Sequence, residues 1–313
     1  MNNETPYANS VFEQPWWLEL VAANSWKEII IRENEQVIAR LPYVEIGSSI
    51  KMPKYTQTLG IWLADSVKEI KRGNEQLNKQ KCIIQSIVEQ LPSNKSVDIA
   101  LDSSVHYILP FHWKGFNIQP CFSYRIDDLT DWETVESRFS KNLKRDINRG
   151  KRLLTIDSDQ GNIDEFIALQ NKTYERQNRK NPISNDLTKK IIVKAIELGH
   201  GRVTIARDSQ GKPHAGSFAL YDDNVCYHLM SGQDTDFGND GAMPLLIAEE
   251  IKFAQLQSKA YDFEGSMIEG IEQMYRRFGG KQVTYWRIIK KSFIGEVKDI
   301  LKPKVKRLIG YKM

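Results

Sequence analysis

Two stretches of this sequence follow one plan, IIIREN…QVIARLPYVEI at 29–46 and VTIARD…PHAGSFALYD at 203–222. Each holds an apolar strand, a polar turn and a returning strand that carries aromatic residues. That order is the signature of an antiparallel hairpin. Its recurrence in a chain of 313 residues is a weak internal repeat. A single hydrophobic core stops growing near about 250–300 residues, so each hairpin is assigned to its own α/β unit.

The flanking pattern agrees. Around the first hairpin, PWWLELVAA and residues 75–91 read as helices, and VDIALD and IQPCFSYRI as strands. Around the second, FIALQNKTYERQ and TKKIIVKAIEL read as helices, NVCYHLMSG as a third strand, and Pro244 to about Ser258 as a helix. Strand YDFEG, helix IEGIEQMYRRF and strand KQVTYWRIIKK close that unit. The stretch DWETVESRFSKNLKRDINRGKR (131–152) is predicted to be one helix joining the copies. Domains are therefore set at 1–128 and 129–292, with a tail at 293–313.

With 41% hydrophobic and 27% charged residues, the chain has the composition of a soluble globular protein. No apolar run approaches the roughly 20 residues that span a bilayer. MNNETPYANS lacks the order of a signal peptide. Three scattered cysteines, Cys82, Cys121 and Cys226, suit a reducing compartment. The expected location is the cytoplasm. The net charge of +4 is uneven, because residues 290–313 carry +6 and leave −2 on the rest. A nearly neutral body offers nucleic acid no electrostatic footprint. In the tail, Phe293, Ile294, Val297, Ile300 and Leu301 recur at helical spacing. It reads either as a helix docked on its own domain or as a peripheral contact with an anionic membrane.

Asp240-Gly241-Ala242-Met243-Pro244 has the cap, glycine and first-turn proline of a helix start. Free N–H groups at such an end suit a phosphate. Asn239, Asp240, Gly241 and Ala242 are thus candidate donor-binding residues, beside the commoner reading of an ordinary capped helix. Asp234, Asp236, Asn239 and Asp240 fail the calcium-loop arithmetic, with Leu245 where the glutamate belongs. The five histidines lack ligand spacing, so no metal is expected. In the joining stretch, Phe139, Leu143 and Ile147 form a buried stripe. Lys144, Arg145 and Arg149 lie largely on other faces, as a solvated surface or as a phosphate-holding cluster.

The most distinctive segment is YDFEGSMIEGIEQMYRRFGG (261–280), a strand, a Glu-Gly-Ser corner and a helix that stops on two glycines. Glu264 closes the strand where a cleft would open. It reads as a general base, as an anchor for the acceptor or as a helix cap. Ser266 reads as the cap of a helix starting at Met267 or Ile268. Tyr275 by itself reads as a half-buried aromatic beside Met274 and Phe278.

Tyr275-x-x-x-Gly279 on this late helix resembles the GNAT acyltransferases, with Gly280 in place of a final aromatic. The tandem plan resembles the FemAB-like branch. FEQPWWLEL, MPKYTQTLG, SKNLKRDINRGKR and the 261–280 segment carry that likeness over most of the chain. The resemblance implies two GNAT-like domains of mixed α/β sheet, with donor and chemistry in the second and a degenerate first. It implies that Tyr275 protonates the departing thiolate of an acyl-thioester; Glu264, read from its place at the corner, is the second expected catalytic residue. It also places His228 on the strand that faces the thioester carbonyl. Lys144, Arg145, Arg149, His228 and Arg276 are the expected substrate-binding residues.

The expected reaction moves an acyl group from acyl-CoA, a co-substrate and not a resident cofactor, to an amine or hydroxyl. The expected acceptor is a sugar or lipid-linked glycan precursor of envelope polysaccharide. Tyr275-Arg276-Arg277 stands where aminoacyl-tRNA users tend to carry a lysine, and a long helical-hairpin insertion for tRNA is lacking. Both features favour a small thioester donor over an aminoacyl-tRNA-dependent peptidoglycan aminoacyltransferase. A non-catalytic scaffold at a membrane surface is a third reading.

Overall fold

A computed structural model describes residues 4–292, Gln177 and Ser266 excepted. The readings of Ser266 as a cap and of the tail from Phe293 as an amphipathic helix lie outside the described residues. The chain forms two compact units. Residues up to Cys121 and from Tyr285 onward make the first, and Phe122–Thr284 the second. The strand predicted at KQVTYWRIIKK thus contributes to both, where the sequence pattern groups all of it with the second.

The first unit runs through α1 (Pro15–Ala22), β1 (Trp26–Glu33), β2 (Gln36–Ile46), β3 (Ser49–Lys51), β4 (Trp62–Leu63), α2 (Asp65–Lys68), α3 (Gly73–Gln90), β5 (Ser96–Ala100), α4 (Leu109–Trp113) and the start of β6 (Asn117–Ile126). β1 and β2 pair antiparallel through a two-residue turn at Asn34 and Glu35. Both turn residues have positive φ, 46° and 65°, which matches the right-handed strand twist. β3 pairs with β2 antiparallel and with β5 in parallel. Leu41, Ile50, Ile87 and Ile99 form part of a core of its own.

The second unit continues with α5 (Trp132–Ser137), α6 (Lys141–Leu153), β7 (Thr155–Asp157), α7 (Ile163–Arg176), α8 (Asn185–Glu197), β8 (Gly201–Arg207), β9 (Pro213–Tyr221), β10 (Val225–Gln233), α9 (Ala242–Gln257), β11 (Ala260–Asp262), α10 (Glu269–Arg276) and β12 (Lys281–Lys290). The single joining helix is corrected to two, α5 and α6. Ser140 ends the continuity because its hydroxyl accepts from Leu143 N at 3.2 Å and caps α6. The strand order in this unit is β6-β11-β10-β9-β8-β7. β9 is buried along nearly its whole length. On one side Ala215 and Ala219 join the core around α9. On the other, Gly216 lies against Phe166 and Leu169 of α7. The small residues of PHAGSFALY let helices approach both faces, which is why the strand lacks the alternation of one with a solvated face.

Candidate active site

The site begins with a mismatch of strand lengths. β11 pairs in parallel with β10 over only three positions, Val225–Tyr227 against Ala260–Asp262. β10 then runs on to Gln233 without it. Along that free stretch the pairing with β9 shifts between His228 and Met230, so Leu229 is an extra residue. Such a bulge bends its strand and increases its twist. The chain meanwhile leaves β11 by a sharp corner, with Glu264 and Gly265 at φ 62° and 61°. A Cβ at Gly265 would stand 2.3 Å from the Phe122 carbonyl oxygen, so the corner fits only glycine against β6. Asp262 fixes its geometry by accepting from Ser123 Oγ at 2.5 Å and from Glu264 N at 2.8 Å.

Between the diverging chains lies a cleft of about 280 Å³. Its walls are His228, Ser231, Gly232 and Gln233 of β10, Thr173 and Arg176 of α7, Met243 and Ile247 of α9, and Ile271, Met274 and Tyr275 of α10. α10 is pinned at its far end. Arg277 Nη2 reaches Asp146 at 2.5 Å, and its carbonyl accepts from Ser140 N at 2.9 Å. Gly279 then takes φ 74° with Arg138 packed where a side chain would be. Gly279 therefore stops α10 against the junction of α5 and α6, and Gly280 lies against the backbone of Arg125 in β6.

Tyr275 is half-buried in this cleft. Its ring packs 5.2 Å from Phe263 and 6.0 Å, edge-on, from His228. Burial, then the carboxyl groups of Glu250 and Glu264, pushes its phenol well above the usual range. At neutral pH it holds its proton. His228 is 3% exposed and its Nδ1 lies 3.0 Å from Glu250 Oε1. Tyr261 donates to the same oxygen at 2.8 Å. Glu264 does not line the cleft; one carboxyl oxygen is enclosed with no hydrogen-bond partner among the described residues. Burial, and Asp262 beside it, push that carboxyl well above the carboxylate range.

The expected donor residues meet at the start of α9. Asp240 Oδ1 accepts from Ala242 N at 2.8 Å, and its Oδ2 lies 2.5 Å from His214 Nδ1. Gly241 presses on α6, where a Cβ would stand 2.2 Å from the Asp146 carbonyl oxygen. Ala242 is fully buried, and Asn239 O accepts from Arg149 Nη1 at 2.7 Å. This helix end is capped by the chain's own carboxylate. Arg149 also lies 3.5 Å from Asp146, so it holds the loop to α6. Lys144 and Arg145 have no ion-pair partner among the described residues, and Arg276 lies 3.9 Å from Glu272. None of these four cations lines the cleft. No cluster of metal-ligating residues occurs among the described residues.

Two cleft-associated residues escape the sequence reading. Arg176 stands at the rim with no partner among the described residues. Glu250 is 2% exposed under the cleft. Its signal was present: Met243, Ile247, Glu250 and Ala254 fall at i, i+4, i+7 and i+11, which sets a carboxylate on an apolar stripe.

Residues 137–267 match the family profile of acetyltransferase (GNAT) domains. A structure described as FemX superposes with a TM-score of 0.68 at 12% identity, over 93% of this chain and 95% of that one. The fold is GNAT-like and FemAB-like. L-PGS from Bacillus licheniformis superposes at 0.52, with 13% identity over 91% of this chain and 90% of that one. A DUF2156 domain from Agrobacterium fabrum, provisionally named as part of a lysylphosphatidylglycerol synthetase, gives 0.53 with 12% identity over 89% and 88%. Comparison of the sequence with curated proteins found no match. In this GNAT-like fold no described helix is long and apolar enough to cross a membrane.

Proposed function

We propose that the protein is an acyltransferase that moves an acyl group from an activated donor to an amine or hydroxyl held in the β10–β11 cleft. One observation supports this best: Tyr275, a phenol that burial keeps protonated, lines that cleft together with His228. A phenol facing a leaving group that gains negative charge is a competent general acid. The proposed donor is an acyl-CoA thioester, used as a co-substrate. The proposed acceptor is a sugar or lipid-linked precursor of envelope polysaccharide, met in the cytoplasm or at the inner membrane surface. Arg176 at the rim suits a phosphate or carboxylate on that acceptor, since a guanidinium binds either in bidentate fashion. Glu264 is assigned to the corner in place of a base, because its carboxyl is enclosed and does not line the cleft.

A second reading, aminoacyl transfer from an aminoacyl-tRNA, draws support from the start of α9. Asp240 already accepts from the first helical N–H, and a second anion there meets its charge. The names of the FemX and lysylphosphatidylglycerol synthetase structures point the same way. Calorimetric titration with acetyl-CoA and free CoA, followed by mass spectrometry of acetyl transfer to glucosamine, separates the two. Saturable binding with acetylated product supports the thioester reading. Folded protein that ignores CoA but transfers lysine from lysyl-tRNA replaces it with the second.

A further inference from the structure

We infer that Nε2 of His228 is the base that takes the acceptor's proton, and that Glu250 is the positioning residue that keeps this nitrogen free. The inference rests on the acyltransferase reading of the same cleft. Glu250 Oε1 receives Tyr261 Oη at 2.8 Å and faces His228 Nδ1 at 3.0 Å. A carboxylate only accepts, so the proton between this pair belongs to Nδ1. That tautomer carries its lone pair on Nε2, which no described residue engages. The ring lines the cleft, so that lone pair is the one a ligand meets.

The groups that touch the imidazole are few: Glu250 from α9 and the ring of Tyr275 from α10. Around Glu250 stand Tyr261 of β11, Cys226 of β10 and Arg202 of β8, and Glu264 acts on Tyr275. Glu250 is the acid among them that touches the ring. It is almost fully buried, and its Oε2 has no hydrogen-bond partner in the described structure. A buried carboxylate with an idle oxygen is costly for a purely structural role. Holding and stabilising an imidazolium that forms during turnover is a use that offsets this cost.

The step balances. As the acceptor nitrogen or oxygen bonds to the acyl carbon, its proton passes to His228 Nε2. The bond from the acyl carbon to the leaving atom breaks, its electron pair stays on that atom, and Tyr275 supplies the proton. The imidazolium then returns a proton to the phenolate across the cleft, where the rings lie 6.0 Å apart. Both residues end as they began, with no other co-reactant.

The test has two arms. Protein labelled with ¹⁵N-histidine is examined by long-range ¹H–¹⁵N correlation at neutral pH. His228 is expected as the Nδ1–H tautomer in the wild type, and to lose that preference in Glu250→Leu. Turnover is measured with acetyl-CoA and glucosamine, and with lysyl-tRNA. His228→Gln and Glu250→Gln are expected to lower kcat about 100-fold, the ordinary scale of one acid–base group, with KM within about threefold. Glu249→Gln, whose carboxylate pairs with Lys252 at 3.2 Å, is expected to behave as wild type. An Nε2–H tautomer in the wild type, or a folded His228→Gln enzyme with full kcat, overturns the assignment. Wild-type protein with the expected tautomer but no turnover of any of these donors refutes the acyltransferase reading instead, and the base falls with it.

Discussion

Tyr275 and Glu13 show how burial tunes single residues in opposite service. At Tyr275 it secures a proton donor, so Tyr275→Phe should lower acyl transfer by about 100-fold or more while leaving donor affinity nearly unchanged. Full turnover by the folded variant would remove the tyrosine from the chemistry. Glu13, in the first unit, is wholly buried and accepts from Gly60 N at 2.8 Å and from Asn9 N at 3.1 Å. Burial, then Asp102, raises its pKa to about 7 from 4.5. The folded form thus binds the proton more tightly than the unfolded chain. Its stabilisation is fully present below about pH 4.5 and is lost as pH rises through about 7, on the order of 3 kcal/mol in all. Denaturation of Glu13→Gln and wild type at pH 5 and 8 checks this. The gap between them should shift by that order in favour of the variant at pH 8, and parallel curves would contradict it.

Among elements, the contact of β10 with α7 decides how wide the cleft is. A Cβ on Gly232 would stand 2.3 Å from Gln170 N and 2.5 Å from its Cα. That neighbour is backbone, so α7 must move, and Thr173 and Arg176 ride on α7 into the cleft wall. Gly232→Ala should therefore cost about 1–3 kcal/mol, the usual scale of overpacking, and raise the acceptor KM more than the donor KM. Unchanged stability and KM would mean that α7 is not held by this contact. Much of this level was legible in the sequence. The hairpins, α7 and α8 follow from periodicity, because their apolar residues are also their buried ones, whereas α9 and α10 follow from their start and stop signals, the first-turn proline and the terminal glycines. The break between α5 and α6 was hidden, since Arg138 and Phe139 suit a helix and only the Ser140 cap ends it. The site was partly legible for the same reason. Tyr275 and His228 sit where a pattern draws the eye, whereas Arg176 enters the cleft through the packing of α7 on β10, which no local pattern encodes.

At the scale of the whole molecule, the order of the chain does not match the order of its units. Phe122–Thr284 is contiguous, with its own core from Ile126 to Phe278 and every residue of the cleft. The first unit is not contiguous, because it borrows the end of β12. Arg287–Lys290 pair antiparallel with Val97–Ala100, and Leu101 N donates to Trp286 O at 2.8 Å. Ile288 is fully buried in the first unit's core, and Arg287 meets Asp98 through two bonds of 2.6 and 2.7 Å. Without these residues β5 becomes a bare edge and the core loses a buried isoleucine, a loss of about 2–5 kcal/mol for the side chain alone. That is a large share of a domain's stability. A fragment of residues 4–121 should therefore lack cooperative unfolding, whereas residues 122–284 should unfold cooperatively and keep the Nδ1–H tautomer of His228. Circular dichroism melts and amide-dispersion spectra of the two fragments decide the matter. A cooperative melt of 4–121 would show that β12 is an accessory to that unit, and the contribution assigned here to Ile288 would have to come from elsewhere in its core.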